Sequence, residues 1–262
     1  FSYNKNYRII KRYPIVLLPQ VSVQRGRVSP IGVGLGYTLS RLIIDYSIHF
    51  LQFFAICYTT AMVITYFGKQ YVKITQGDLT IAINIPGKDS GYAKLPHFGA
   101  NIVLSSNNHP DYNGMEYANY GDKVAFPVYG PGAYEVNSVF ITGTGSKINL
   151  DKKDYINTSY VMTIDSLNVV FLGALQNADV KADIREAVGI PDVLFVPIGG
   201  KSVLDAKAAA RLANSLDAKT VIPLDYGDDQ NADALKTILK EAGAEGTKPE
   251  AKNTQKHKEA QG

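Results

Sequence analysis

Hydrophobic positions along this chain fall into two regimes that meet near residue 62. Beyond that point, short apolar blocks alternate with turn residues, the pattern of strands joined by tight connections. Residues 63–67, 71–75 and 79–85 predict three strands; Gln76-Gly77-Asp78 marks the second turn, and Pro86-Gly87 ends the third strand. A polar loop over residues 87–99 follows. Then Ile102, Val103 and Leu104 form a short apolar run bounded by turn residues, which reads as a buried strand. Residues 123–128 and 138–143 predict strands on either side of the tight turn Tyr129-Gly130-Pro131-Gly132, and residues 159–164 and 168–172 predict a hairpin turned at Asp165-Ser166-Leu167. Helical spacing predicts a helix over 206–216, with Ala206, Ala209, Ala210, Leu212 and Ala213 on its apolar face, and another over 232–242. Residues 244–262 are rich in Lys, Glu, Gln, Gly and Ala without apolar period, which predicts a disordered Lys-rich tail.

Ahead of residue 62 the pattern is irregular. Lys5, Arg8, Lys11 and Arg12 sit among tyrosines and isoleucines, and residues 14–36 have no clear period. Residues 42–67 are apolar with few breaks and long enough to cross a membrane. Asp45, His49 and Gln52 within that run are groups a membrane interior disfavours. Residues 1–61 admit three readings: an upstream extension, a start chosen ahead of Met62, or a membrane anchor through residues 42–67.

Composition narrows the chemistry more than the fold. Of 262 residues, 45% are hydrophobic and 19% charged, enough apolar material for a sizeable core. The net charge of +3 is small and carries no dense basic stripe, so no nucleic-acid partner is expected. Cys57 is the single cysteine, which excludes an intrachain disulfide and a Cys-based zinc site and fits a cytoplasmic, reducing setting. The membrane-anchored alternative depends on residues 42–67. The four histidines are His49, His97, His109 and His257, too few for the usual His-rich metal centre.

The most distinctive stretch runs from Asn101 to Gly114. Its apolar strand breaks into Ser105, Ser106, Asn107 and Asn108, followed by His109, Pro110, Asp111 and Tyr112. Open α/β sheets place their chemistry where a buried strand releases polar side chains from its C-terminal end. This stretch resembles the signature loop of the metallo-β-lactamase-fold superfamily, where a strand is followed by His-x-His-x-Asp-His and the loop supplies ligands to one or two metals. Asn107 stands at the first His, His109 matches the second, Asp111 matches the Asp, and Tyr112 replaces the last His. The resemblance extends from Met62 to Tyr226. The first strand, which in the family often ends Gly-His, ends Gly68-Lys69. The third, often ending Asp-Pro, has Asn84-Ile85-Pro86. Gly130 to Val136 resembles the Gly-Pro-Gly-Glu-Tyr-Glu segment of the lactonase-like Zn-dependent hydrolase branch. Phe171-Leu172-Gly173-Ala174-Leu175 resembles His-Leu-Gly-Asp-Leu, whose Asp bridges the metals, with Ala174 in its place. Residues 192–200 resemble Asp-Val-Leu-Leu-x-Pro-x-Gly-Gly, and residues 220–226 resemble a last strand ending Pro-x-His-Tyr, with Asp225 replacing the His.

The resemblance implies the α/β (α+β) class: a four-layer αββα sandwich of the metallo-β-lactamase type over residues 62–243. It also implies a tendency to form homo-oligomers. Metal-dependent hydrolysis requires at least three protein ligands and an open position. Most ligand positions are substituted, so the expected function is that of a pseudoenzyme: weakly active or inactive, without a resident cofactor, binding an unidentified small molecule or protein. The alternative is a lactone or phosphoester hydrolase with one Zn or Mn ion on His109, Asp111 and Asp225, and Asp111 as its catalytic residue. Two carboxylates and an imidazole suit such an ion. The competing reading gives His109 and Asp111 only the task of shaping the loop, through bonds to backbone or a helix cap. Ser105 and Ser106 lie near His109 in sequence, but nothing in the sequence orients the ring as a nucleophile's base. Lys69 has the charge to substitute electrostatically for a lost metal, provided that it points inward.

Overall fold

The computed structural model describes residues 9–10, 62–178, 182–226 and 233–243. The chain divides into residues 12–61 and the remainder. Residues 11–61 and 244–262 lie outside the described residues, and with them most of the apolar run at 42–67 and the Lys-rich tail. Among the described residues no helix is long and apolar enough to cross a membrane.

Two sheets form because the strands are apolar on matched faces. The smaller contains β2 (Val63–Gly68), β3 (Tyr71–Gln76), β4 (Leu79–Ile83), β5 (Ile102–Ser105) and β6 (Phe126–Tyr129), in that order. β2, β3 and β4 form an antiparallel meander, whereas β4, β5 and β6 are parallel. The larger sheet has the order β1 (Ile9–Ile10), β12 (Thr220–Leu224), β11 (Val193–Pro197), β10 (Leu167–Phe171), β9 (Lys153–Ile164), β8 (Val139–Leu150) and β7 (Gly132–Val136). β7 to β10 are successively antiparallel, and β10, β11 and β12 are parallel. Three hairpins turn on pairs with positive φ: Asn137-Ser138, Asp151-Lys152 and Asp165-Ser166. Two consecutive residues of positive φ give the turn whose twist matches that of paired strands, and Asn and Asp tolerate it better than most residues.

The inner faces interlock. Ile81, Ile83, Ile102, Leu104 and Val128 meet Val139, Ile141, Tyr160, Met162, Val169, Phe171 and Phe195 in one apolar cluster. Full burial of each such aliphatic or aromatic side chain contributes roughly 1.5–3 kcal/mol. The outer face of the larger sheet is covered by α2 (Ala206–Ser215) and α3 (Ala234–Glu241), with α1 (Ala182–Val188) preceding β11. Asp205 caps α2 by accepting from the Ala208 N–H at 2.8 Å. Outside the smaller sheet lie Leu95 and Phe98 of the loop after β4 and the 3-10 turn Met115–Ala118. The molecule is thus the α/β sandwich that the sequence predicts, with its fourth layer built, among the described residues, from loop and one 3-10 turn.

The largest departure from the pattern reading is the β8–β9 hairpin. The sequence predicts strands of five or six residues there, and both are twelve residues long. β7 pairs with β8 only through Val139 to Gly143, and β10 pairs with β9 only through Tyr160 to Ile164. Residues 144–159 therefore have strand partners only in one another, as a two-stranded arm. Its Thr, Gly, Ser, Lys and Asn residues hide the apolar alternation that marks a strand inside a sheet. The arm is held over the end of β5: Ile148, Leu150 and Tyr155 pack with Tyr112, Ala174 and Val203.

Candidate functional site

β5 is buried at every position, Ser105 included. The polar residues that follow must therefore find partners inside the protein. Ser105 Oγ reaches the carbonyls of Asn107 at 2.8 Å and Tyr112 at 2.9 Å, folding the loop back on itself. Tyr160 donates its hydroxyl to the Ser105 carbonyl at 2.7 Å from the opposite sheet. Ser106 is held on three sides: its N–H donates to Asn84 Oδ1 at 2.8 Å, Asn84 Nδ2 donates to its Oγ at 2.9 Å, and the Thr158 N–H of the arm donates to its carbonyl at 2.7 Å. Asn84 also donates to Gln70 Oε1 at 3.3 Å, and Gln70 Nε2 donates to Asp225 Oδ2 at 3.4 Å. Asn107 donates to Ser106 Oγ at 3.3 Å and accepts the His109 N–H at 2.9 Å. One chain of hydrogen bonds thus runs from Asp225 to His109 through neutral amides and a hydroxyl.

Lys69 and Asp225 form the charged element at the inner end. Lys69 Nζ lies 3.2 Å from Asp225 Oδ1, with side chains 20% and 7% exposed. Backbone contacts reinforce the pair: the Asp225 N–H lies 2.6 Å from the Lys69 carbonyl and 3.1 Å from the Tyr66 hydroxyl. Lys69, Asn84 and Asp225 all follow strand ends, and all have φ between 50 and 59°. Non-glycine residues rarely occupy that region, and such backbone strain clusters at functional sites. Burial works against the charge on Lys69, but the Asp225 carboxylate, through charge and hydrogen bond, outweighs it, with added help from Tyr92 and Asp111, and raises the ammonium pKa above its ordinary value. Burial, reinforced by Asp225 and Asp111, pushes the Tyr112 phenol well above its ordinary value and holds it neutral.

At the outer end Asp151 is exposed, while the His109 and Asp111 side chains are only 12% and 18% exposed. His109 Nδ1 accepts the Asp111 N–H at 3.2 Å, and Nε2 lies 3.0 Å from Asp151 Oδ2 at the tip of the arm. That arrangement defines the tautomer with hydrogen on Nε2. Asp111 accepts from Ser90 Oγ at 2.6 Å, and its other oxygen is 3.8 Å from His109 Nδ1. His109 therefore shapes the loop by accepting a backbone N–H rather than by bonding a carbonyl. With both its nitrogens engaged elsewhere, and Ser105 and Ser106 turned to backbone and amide partners, no serine–histidine pair forms. His97 stacks on Tyr117 with ring centroids 4.3 Å apart, outside this network.

The donor set does not fit the binuclear centre that the family resemblance implies. An ammonium stands at Lys69, amides at Asn84 and Asn107, a neutral phenol at Tyr112 and a methyl at Ala174. Ala174 donates its N–H to Asn157 Oδ1 at 2.7 Å, and Asn157 Nδ2 donates to the Leu172 carbonyl at 3.0 Å. A side chain on Gly173, at φ 63°, would collide with Asn157 Oδ1 and come within 2.9 Å of Ser106 Cβ. Gly199 is similarly required, since a Cβ there would lie 2.6 Å from the Asp225 carbonyl. Of the three residues predicted for a single ion, His109 and Asp111 are neighbours, while the Asp225 carboxylate is engaged by Lys69 and Gln70. Among the described residues no group of three or more His, Cys, Asp or Glu gathers to hold a metal ion. Gln70, Ser90, Asp151 and Asn157 belong to the site without any sequence signal; each is brought there by a turn, a loop or the arm.

No curated protein matches the chain. Solved structures do. A protein described as a Zn-dependent hydrolase of the metallo-β-lactamase superfamily from Thermotoga maritima is 26% identical, with a TM-score of 0.53 over 69% of this chain and 85% of that one. A protein described as a metal-dependent hydrolase from Parabacteroides distasonis is 18% identical, with a TM-score of 0.52 over 70% of this chain and 90% of that one. A metallo hydrolase from Ignicoccus hospitalis is also 18% identical, with a TM-score of 0.51 over 70% and 91%. The last two likenesses show the fold. The family model described as the beta-lactamase superfamily domain matches residues 63–225, which span both sheets and every residue of the network, and the chain belongs to the metallo-β-lactamase-fold superfamily.

Proposed function

We propose that this protein keeps the scaffold of a metallo-β-lactamase-fold hydrolase without its metal chemistry, and works by binding a small molecule or a protein. The observation that carries this reading is the continuous hydrogen-bonded chain from Asp225 through Gln70, Asn84, Ser106 and Asn107 to His109. A hydrolytic metal needs deprotonated or neutral ligands aimed at it and an open position for water. Here the corresponding side chains are aimed at one another. An ammonium at Lys69 repels a divalent ion from Asp225, and amides are poor ligands for zinc. The single cysteine supports a reducing compartment.

The test is elemental mass spectrometry on the purified full chain, with and without added Zn and Mn, alongside thermal unfolding with and without chelator. The expected outcome is no metal above background and the same unfolding temperature in both conditions. Near-stoichiometric metal that disappears in Asp225→Ala would replace this reading with a one-ion hydrolase on His109, Asp111 and Asp225. A screen of lactones and phosphoesters would then follow.

A further inference from the structure

We infer that the Lys69 ammonium is the resident cation of this site, taking over from a metal ion the task of holding the Asp225 carboxylate at the converging strand ends. The inference deepens the metal-free reading and rests on it. A buried carboxylate needs a counter-charge or several hydrogen bonds, because its transfer out of water is otherwise prohibitive. Asp225 is such a group, and Lys69 Nζ lies 3.2 Å from it. The backbone places the ammonium there deliberately. Lys69 has φ 50° in the β2–β3 turn, and its carbonyl accepts both the Asp225 N–H at 2.6 Å and the Tyr66 hydroxyl at 2.9 Å. Residue 69 and residue 225 are therefore joined by main chain as well as side chain. The ammonium is 5.8 Å from the centre of the Tyr92 ring, and the Tyr92 N–H donates to Ser90 Oγ, which orients Asp111.

Charge balance explains why one ammonium suffices. A centre with divalent ions needs several anionic ligands around it. Asn84, Asn107, Tyr112 and Ala174 bring no charge, which leaves Asp225 buried and Asp111 partly buried. A single positive charge matches the buried carboxylate, and solvent screens the remainder. An ammonium also donates three hydrogen bonds without requiring a fixed coordination geometry, so the surrounding amides are free to bond one another.

Removing the ammonium should therefore leave the Asp225 carboxylate buried without its counter-charge. The experiment compares the wild type, Lys69→Ala, Lys69→Met and the pair Lys69→Met/Asp225→Asn as full chains, by thermal unfolding with Mn or Zn added and with chelator. The wild type is expected to show no shift with either ion. Each single variant is expected to lose roughly 6–15 °C, the scale of breaking a buried ion pair in a domain of this size. The paired variant should recover most of that loss, with or without chelator. Absence of the paired recovery overturns the inference. If that happens in a wild type free of metal, the metal-free reading still stands. If the wild type itself purifies with stoichiometric metal, both fall. Should either single variant not fold, folding of the paired variant replaces the shift as the readout, and failure of the pair to fold counts against the inference.

Discussion

The loop after β5 has two ends that solve the same problem differently. At its inner end Ser106 bonds Asn84, which bonds Gln70, and with Asn107 and Asn157 these residues are all buried and all neutral. At its outer end, His109, Asp111 and Asp151 keep ionisable groups, and the Asp151 side chain is 82% exposed. Neutral amides cost far less to bury than ions, provided that each finds its partners. Exposed ions cost little to keep and contribute little in return. With most metal ligands substituted, this superfamily member has neutral hydrogen bonds at the buried inner end and its most exposed charge, Asp151, at the outer end. Lys69 and Asp225 are the exception at the inner end, and they are paired.

The contrast can be broken most severely at Asn84. Asn84→Leu would leave the Ser106 N–H and Gln70 Oε1 short of partners and place a branched aliphatic residue at φ 54°. The expected loss is about 4 kcal/mol, from unsatisfied buried groups and left-handed backbone together, read from the denaturant midpoint. A loss below about 1 kcal/mol would show that this network is not what organises the inner end. Tyr160→Phe tests the same end more gently. It removes the hydroxyl that reaches the Ser105 carbonyl at 2.7 Å across the two sheets and should cost about 1–1.5 kcal/mol in equilibrium unfolding. Asp151→Asn is the smallest expected effect. It neutralises the arm's charged contact with His109 while keeping a residue that tolerates φ 49°, and should change stability by about 0.5 kcal/mol or less. That difference should shrink further in high salt. A loss as large as that at Asn84 would mean that the arm tip, and not the buried amides, closes the site.

Much of the fold was legible in the chain. The three-strand meander, the buried strand at 102–104, the hairpin at 165–167 and the helices at 206–216 and 232–242 all announce themselves through short apolar periods and turn residues. The site was legible in part. Lys69, Asn84, Asn107, His109, Asp111, Tyr112, Ala174 and Asp225 stand at motif positions, and the sheets do bring them to one end of the sandwich. Their partners were not legible. Gln70 is an ordinary turn residue, Ser90 lies in a polar loop, and Asp151 and Asn157 belong to the arm, whose polar composition conceals its strands. Nor does the sequence say which substituted residues bond each other, since a bond such as that between Gln70 and Asp225 spans 155 positions.

Sequence alone placed the meander, the buried strand and the helices, because the period of buried positions and the φ demands of Gly, Asn and Asp at turns are local quantities; it did not give the length of the β8–β9 arm. It also showed that, of the four histidines, only His109 stands in the motif loop. The tertiary structure decided the rest: that the β8–β9 arm lies over Tyr112 and Ala174, that Lys69 points inward onto Asp225, and that the buried amides complete one another. These are relations between side chains brought together by packing. Their energies depend on exclusion of water and on distances of about 3 Å, and no local pattern along the chain encodes either.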